Sequence, residues 1–101
     1  MKMNRAARVV PNESKVRGRL LSIKPEADGE GSVWEIAVEA AEDVDNTPNF
    51  ARSHVGGTIN VYVNPEDQHS IAEHDEIEAH VSYRGDEHGG RFALSGDVHK
   101  K

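Results

Sequence analysis

The 101-residue chain has no cysteine, only five aromatic residues and no long apolar segment. Without cysteine there can be no disulfide, no thiolate nucleophile and no metal site built on sulfur. The longest apolar run near the start, AARVV at residues 6–10, is too short and too interrupted by arginine for a signal-peptide core or a membrane span. We therefore expect a cytoplasmic protein, and the length fits a single domain with one modest core.

Basic side chains are nearly missing from the middle of the chain. Residues 26–78 contain 14 acidic side chains and one basic one, Arg52, whereas residues 1–25 contain seven basic side chains and one acidic one. The whole chain has a net charge of −6. An anionic partner should therefore meet the N-terminal third or the last part of the chain, because like charge repels it from the middle.

Alternating apolar residues predict five β-strands. The first, VRGRLLSIK, changes phase part-way, since Val16 and Leu20 share one face whereas Leu21 and Ile23 share the other. We expect a β-bulge near Gly18 or Leu20 that bends this strand. The other four predicted strands lie in the segments SVWEIAVEAAE, GTINVYVN, EIEAHVSYR and RFALSGDV.

The segments between the strands carry turn and helix signals. Residues 1–14 lack periodicity and are expected to be a flexible basic tail before a domain at 15–99. Residues 43–57 read as a loop with at most one helical turn. A short helix is expected after the third strand, because Asn64 can cap it and Pro65 needs no donor in its first turn. GDEHGG reads as a tight turn between the last two strands.

The predicted order is three strands, a short helix and two more strands, with a bend in the first strand. It resembles the OB-fold, an all-β, five-stranded Greek-key barrel. The resemblance is one of architecture and covers about residues 15–98. A different five-stranded barrel or an open α+β sheet is the alternative. The resemblance implies a binding module that uses the outer face of its second and third strands, often for single-stranded nucleic acid.

One candidate surface is a basic stripe. In the OB arrangement the first strand pairs with the fourth, so basic residues of these strands should meet those of the last hairpin and the N-terminal tail. The stripe would bind phosphates of single-stranded nucleic acid. Solvated arginines with cross-strand pairs to Glu76 or Glu78 are the alternative. The candidate nucleic-acid-binding residues are Arg17, Arg19, Lys24, Arg84 and Arg91.

The other candidate surface is acidic and lies on the second and third strands. It would dock a basic protein, and strand-edge pairing between copies is a variant that would give a weak homodimer instead of a monomer. The residues of this alternative protein-interaction surface are Tyr62, Asn60, Asn64, Glu35 and Glu39.

Catalysis and metal binding have little support in the sequence. His69 and Glu73 would share a helix face but His74 would not, so the spacing does not match a zinc site with two histidines four residues apart. No serine has the flanking glycines of a nucleophile elbow. Consecutive acidic residues and a histidine in GDEHGG cannot all point at one atom. We expect a non-catalytic module with no metal, cofactor or membrane partner.

Overall fold

The computed structural model describes residues 12–26, 29–65, 71–86 and 89–100. Within these ranges the protein is mostly β, and the predicted all-β class is confirmed. A single 3₁₀ turn, Arg52–His54, interrupts the connection between the second and third strands. None of the described residues forms a helix that is long and apolar enough to cross a membrane. The strands are β1 Ser14–Pro25, β2 Ser32–Asp43, β3 Thr58–Val63, β4 Glu76–Asp86 and β5 Gly89–Lys100.

The hydrogen bonding of the sheet closes into a ring. The strands follow the order β1–β2–β3–β5–β4, and β4 pairs in turn with β1. All neighbouring pairs are antiparallel except β3 and β5, which run parallel. This parallel seam is short. Its described residue pairs are Val61 with Phe92 and Tyr62 with Ala93. The seam brings a residue from the last hairpin next to the outer face of β3.

β1 bends as its sequence predicts. Its register with β2 shifts between Arg17 and Gly18 and again between Leu20 and Ser22, which confirms the expected bulge. Gly18 lies so close to the carbonyl oxygen of Ala37 that no Cβ could fit there. The shifts allow Leu20 to be fully buried and still let Ile23 pack against the core. Side chains on both sides of the bend in β1 can therefore face the core.

The core fills the inside of the barrel with the residues that the alternation predicts to point inward. Ala51, from the connection after β2, joins them, whereas Tyr83 packs against the core but is only partly buried. Burying each large aliphatic side chain stabilises the fold by about 1.5–3 kcal/mol. The buried apolar residues are Val16, Leu20, Trp34, Ile36, Val38, Ala51, Ile59, Val61, Val63, Ile77, Ala79, Val81, Phe92, Leu94 and Val98.

Two predicted segments fall largely outside the described residues. The expected helix between β3 and β4 would begin at Pro65 and include Ile71 and Ala72. Residues 66–70 are not among those described and residues 71–75 are not helical, so this helix is not confirmed. Most of the expected basic tail is residues 1–11, which are also not among those described. Asn12 and Glu13, which belong to the expected tail, are hydrogen-bonded to Tyr83 and Pro48, and Ser14 is the first residue of β1. The single 3₁₀ turn agrees with the expectation of at most one helical turn between β2 and β3.

Candidate functional site

A tyrosine and an arginine stack on the outside of the β3–β5 seam. Inward residues alternate along β3, so Tyr62 lies on the outer face between buried Val61 and Val63. Arg91, near the start of β5, places its guanidinium carbon 4.4 Å from the centroid of the Tyr62 ring. This distance is well within the roughly 6 Å at which a cation is attracted to a ring face. We call Tyr62 and Arg91 the outer platform.

The connection between β1 and β2 reaches the same platform. Nη1 of Arg91 donates a hydrogen bond to Oε2 of Glu26 at 3.4 Å. On the other side of that connection, a Cβ on Gly31 would lie 2.7 Å from the Tyr62 hydroxyl oxygen and 2.5 Å from the Val63 carbonyl oxygen. Glycine is therefore required at residue 31 if the connection is to pack this closely on Tyr62. The β1–β2 connection thus contacts both members of the platform, Arg91 through Glu26 and Tyr62 through Gly31.

Next to the platform, four rings line a recess of about 260 Å³ at one end of the barrel. We call this the aromatic recess, and its rings are those of Phe50, His54, Tyr83 and Phe92. Neighbouring rings meet edge to face. The centroid distances are 6.0 Å for Phe50 and Tyr83, 5.2 Å for Tyr83 and Phe92, and 5.5 Å for His54 and Phe92. The recess is therefore built from the β2–β3 connection and the β4–β5 hairpin.

A second, more polar recess of about 350 Å³ continues from the first. It shares three of the four rings and adds the side chains of Thr58, Asn60 and Arg91. Its described lining contains no carboxylate, although the chain as a whole is acidic. Arg91 therefore belongs both to the outer platform and to the wall of the recess. Platform and recess form one continuous surface.

Hydrogen bonds hold the connection that carries Phe50. The side-chain amide of Asn49 accepts a hydrogen bond from Oγ of Ser14 at 2.6 Å and donates one to Oδ1 of Asp43 at 3.0 Å. Arg52 lies 2.5 Å from the same carboxylate oxygen. Hydrogen bonds from Asn49 and then Arg52 hold the pKa of Asp43 below its ordinary value. Phe50 lies between Asn49 and Arg52, which these contacts hold in place, and its side chain is 41% exposed.

The predicted basic residues fall into separate groups. On β1, Arg17 and Arg19 lie opposite Glu78 and Glu76 of β4. Arg19 approaches Glu76 at 3.5 Å and also donates to the backbone oxygen of His74 at 3.1 Å. This side of the barrel therefore carries both signs of charge. Lys24 is exposed near the end of β1, opposite Val33.

The hairpin groups the other two predicted arginines. Arg84 and Arg91 are direct cross-strand partners of β4 and β5, and both are exposed. Like charges directly opposite one another in a sheet are unfavourable. The hairpin thus places two arginines beside the aromatic recess, and its sequence also contains two acidic residues between them, Asp86 and Glu87.

The predicted acidic surface is divided in a similar way. Glu35 and Asn60 are cross-strand partners on β2 and β3, so they share the outer face with Tyr62, and exposed Asn64 follows directly after β3. Glu39 lies elsewhere, against Glu76. A hydrogen bond shared between these two carboxyl groups raises the pKa of Glu39.

The possible metal ligands His69, Glu73 and His74 and the turn GDEHGG are only partly described. His69, Glu87 and His88 lie outside the described residues. In the part of the chain that is described, no group of three or more His, Asp or Glu side chains is placed to hold a metal ion.

Sequence patterns did not point to Phe50, His54 or Glu26. All three lie in connections, where no alternation gives a side chain a direction. A weak signal did exist, because Phe50 and Val55 are large apolar residues in an otherwise polar segment and are the exposed large hydrophobic residues of the described structure. Exposed apolar side chains grouped in one place mark binding sites more often than isolated ones do.

Comparison of the chain with protein families, with curated proteins and with solved structures finds no match.

Proposed function

We propose that this protein is a non-catalytic binding module with an OB-type barrel, and that it binds single-stranded nucleic acid across the β3–β5 seam. The observation that carries the proposal is the Arg91 guanidinium held 4.4 Å from the Tyr62 ring. Aromatic rings and arginine planes are the surfaces on which unpaired bases stack, and arginine also binds phosphate. The outer platform offers both in one place.

The arrangement of the strands supports the OB-type assignment. An order of β1–β2–β3–β5–β4, a parallel β3–β5 pair and a bent β1 are the features expected of that barrel. In OB-folds the usual ligand face is the outside of the second and third strands, flanked by the first and last hairpin loops. Here Glu26 from the first connection and Arg91 from the last hairpin meet beside Tyr62.

Electrostatics favour the hairpin over β1 as the phosphate-binding side. The Arg84–Arg91 pair carries two like charges, and a bound phosphate would relieve their repulsion. On β1, Arg19 contacts Glu76 and donates to the His74 carbonyl oxygen, whereas Arg91 contacts Glu26 and the face of the Tyr62 ring. Arg91 must exchange Glu26 for phosphate, so we expect moderate affinity that falls as salt rises.

The test is fluorescence anisotropy with a labelled, mixed-sequence single-stranded oligonucleotide at low and at physiological salt. Arg91→Ala and Tyr62→Ala should each weaken binding about tenfold, which corresponds to the loss of about one stacked base. Arg19→Ala is the matched control, because it removes another exposed arginine with a carboxylate partner, on β1 and away from the outer platform. Equal losses for Arg19→Ala and Arg91→Ala would contradict the location at the hairpin. Failure of the unchanged protein to bind at low salt would contradict the function.

A second candidate is a protein-interaction module or accessory subunit that uses the acidic side of the same face. It is favoured by the placement of Glu35, Asn60 and Tyr62 together on the outside of β2 and β3. The two candidates respond oppositely to Glu35→Lys. This change should strengthen binding of an oligonucleotide and weaken binding of a basic protein, because it reverses the charge beside Tyr62. Measuring both ligands with one variant therefore separates the candidates.

A further inference from the structure

We infer that the aromatic recess receives one unpaired nucleobase of the bound strand. This inference rests on the proposed function and adds a second subsite to it. The outer platform alone could stack a base but offers no concave surface. The recess is an open concavity that continues from the platform through Arg91, so neighbouring nucleotides of one strand could occupy both subsites.

The shape of the recess suits a flat guest. Phe50 and Tyr83 meet at an interplanar angle of 86°, Tyr83 and Phe92 at 71°, and His54 and Phe92 at 88°. Rings arranged nearly at right angles line adjoining walls, so a flat guest can stack on one ring and meet the others at their edges. Phe92 is 5% exposed and forms a fixed base, while Phe50 is 41% exposed and is open to a ligand.

The size of the recess limits the guest. The aromatic part measures about 260 Å³ and the polar continuation about 350 Å³, and these two spaces overlap at His54, Tyr83 and Phe92. Sites for small organic ligands usually span about 300–1,000 Å³. The aromatic part alone is below that range, and the polar continuation is at its small end. The recess fits one heteroaromatic ring system with its sugar at the mouth.

The polar groups at the edge of the recess are better suited to a nucleobase than to an apolar side chain of a protein partner. Thr58 supplies a hydroxyl, Asn60 an amide and His54 a ring nitrogen, and all three line the recess. Together they offer donors and acceptors to the edge of a base. Arg91 stands at the mouth, where the phosphate of the same nucleotide would lie. The described lining of the recess carries no carboxylate, and the phosphate would have to displace Glu26 from Arg91.

Phe50→Ala tests the inference, and Val55→Ala is its matched control. Both residues are exposed and apolar, 41% and 47% respectively, and both belong to the connection between β2 and β3. Val55 does not line the recess. Two probes are used, a short single-stranded oligothymidylate and an oligomer of the same length that lacks its bases. Amide NMR spectra of both variants confirm that the barrel remains folded.

The expected result is a loss of about tenfold in affinity for oligothymidylate with Phe50→Ala and no loss with Val55→Ala. The oligomer without bases should bind the unchanged protein and Phe50→Ala equally, since it offers no ring to the recess. If Phe50→Ala binds oligothymidylate as tightly as the unchanged protein, while Tyr62→Ala and Arg91→Ala are impaired, the recess inference is overturned and the proposed function stands.

A separate measurement covers the case in which no oligonucleotide binds and the proposed function fails. Adenosine monophosphate is then titrated into the unchanged protein, and the ring resonances of Phe50, His54 and Phe92 are followed by NMR. Shifts at these rings that are lost in Phe50→Ala would support a base-binding recess without the strand-binding function. Unchanged ring resonances would overturn the recess as well.

Discussion

The side-chain amide of Asn12 pairs with the main chain of Tyr83 as a strand would. Its Nδ2 donates to the Tyr83 carbonyl oxygen at 2.9 Å, and its Oδ1 accepts from the Tyr83 N–H at 2.7 Å. The β1–β4 ladder described by main-chain pairing ends at Ser14 and Val81, so Asn12 extends it by one further step. The ring of Tyr83, which lines the aromatic recess, is therefore positioned by a residue that precedes β1.

Asn12→Ala should destabilise the protein by about 1–3 kcal/mol, because it leaves the partly buried N–H and C=O of Tyr83 without these partners. Urea unfolding measures the change, and amide exchange at Tyr83 should become faster. Asn46→Ala is the control, since Asn46 is exposed in the β2–β3 connection, and a change there should stay within about 0.5 kcal/mol. Equal stability of the two variants would contradict this role for Asn12.

Gly18→Ala should be destabilising because the added Cβ would collide with the backbone oxygen of Ala37. Relief requires movement of β2 or loss of the bulge, and forced overpacking typically costs about 1–3 kcal/mol. Thermal unfolding followed by circular dichroism provides the comparison. In Gly57→Ala the new Cβ would meet its nearest neighbour, the His54 carbonyl oxygen, at an ordinary 3.5 Å, so this variant should retain its melting temperature.

The two buried serines should respond in opposite directions to alanine. The hydroxyl of Ser32 is buried and has no hydrogen-bond partner among the described residues. Ser32→Ala should therefore be neutral or should stabilise by up to about 1 kcal/mol. Ser14 donates to Asn49 at 2.6 Å and accepts from the Ala51 N–H at 3.4 Å, so Ser14→Ala should destabilise by about 1–3 kcal/mol. A larger loss for Ser32→Ala than for Ser14→Ala in chemical denaturation would refute this prediction.

Much of the barrel could be predicted because its strands have one apolar face. The alternation in β3 identifies Ile59, Val61 and Val63 as core residues, and the phase change in β1 predicts its bulge. Both features depend on neighbours a few residues apart in the sequence. The direction of a side chain along a strand follows from such local spacing.

The candidate site depends on long-range pairing and was harder to predict. Tyr62 and Arg91 were assigned to two different candidate surfaces, and only the parallel β3–β5 seam brings them together. Sequence spacing carries no information about that contact. Arg19 illustrates the reverse case, since the predicted β1–β4 pairing that was expected to form a basic stripe also places Glu76 beside it. Residues in connections, such as Phe50, have no periodic pattern from which to infer a position.

The contact between Glu39 and Glu76 predicts a pH dependence. The pKa of Glu39 is raised above its ordinary value of 4.5, first by the hydrogen bond that it shares with Glu76. The folded state therefore holds this proton more tightly than the unfolded state. Its stabilising effect is complete below the ordinary pKa and is lost as pH rises through the raised value.

Glu39→Gln should remove this loss of stability with rising pH, because an amide keeps a hydrogen-bond donor near Glu76 at every pH. Melting temperatures between about pH 4 and pH 7 are the measurement, and the variant should gain on the unchanged protein as pH rises. Glu35→Gln is the control, because Glu35 lies beside the hydroxyl of Ser22 at 3.4 Å and leaves the Glu39–Glu76 pair intact. A constant difference across this range would argue against the shared proton.

Asp43 predicts the opposite dependence at lower pH. Its pKa is held below the ordinary value of 3.8 by Asn49 and Arg52, so its stabilising effect is present above 3.8 and is lost as pH falls through the lower, folded value. Asp43→Asn should weaken the connection that carries Phe50 already at neutral pH, and its amides should exchange faster. Asp45→Asn, in the same connection, should leave their protection unchanged. Similar exchange rates in the two variants would contradict a role for Asp43 in holding the connection.

The short β3–β5 seam has a thermodynamic consequence. Its described pairing is limited to Val61 with Phe92 and Tyr62 with Ala93, whereas the β1–β2 ladder extends over the full length of both strands. Local opening of the barrel should therefore begin at this seam, where the fewest main-chain hydrogen bonds must break. Tyr62, Arg91 and Phe92 lie on both sides of it, so a ligand that contacts all three can bind only the closed form. Occupancy would shift the opening equilibrium by about 2.7 kcal/mol at a ligand concentration of one hundred times Kd. Slowed amide exchange at Tyr62 and Ala93 would thus report a bound ligand of any chemistry.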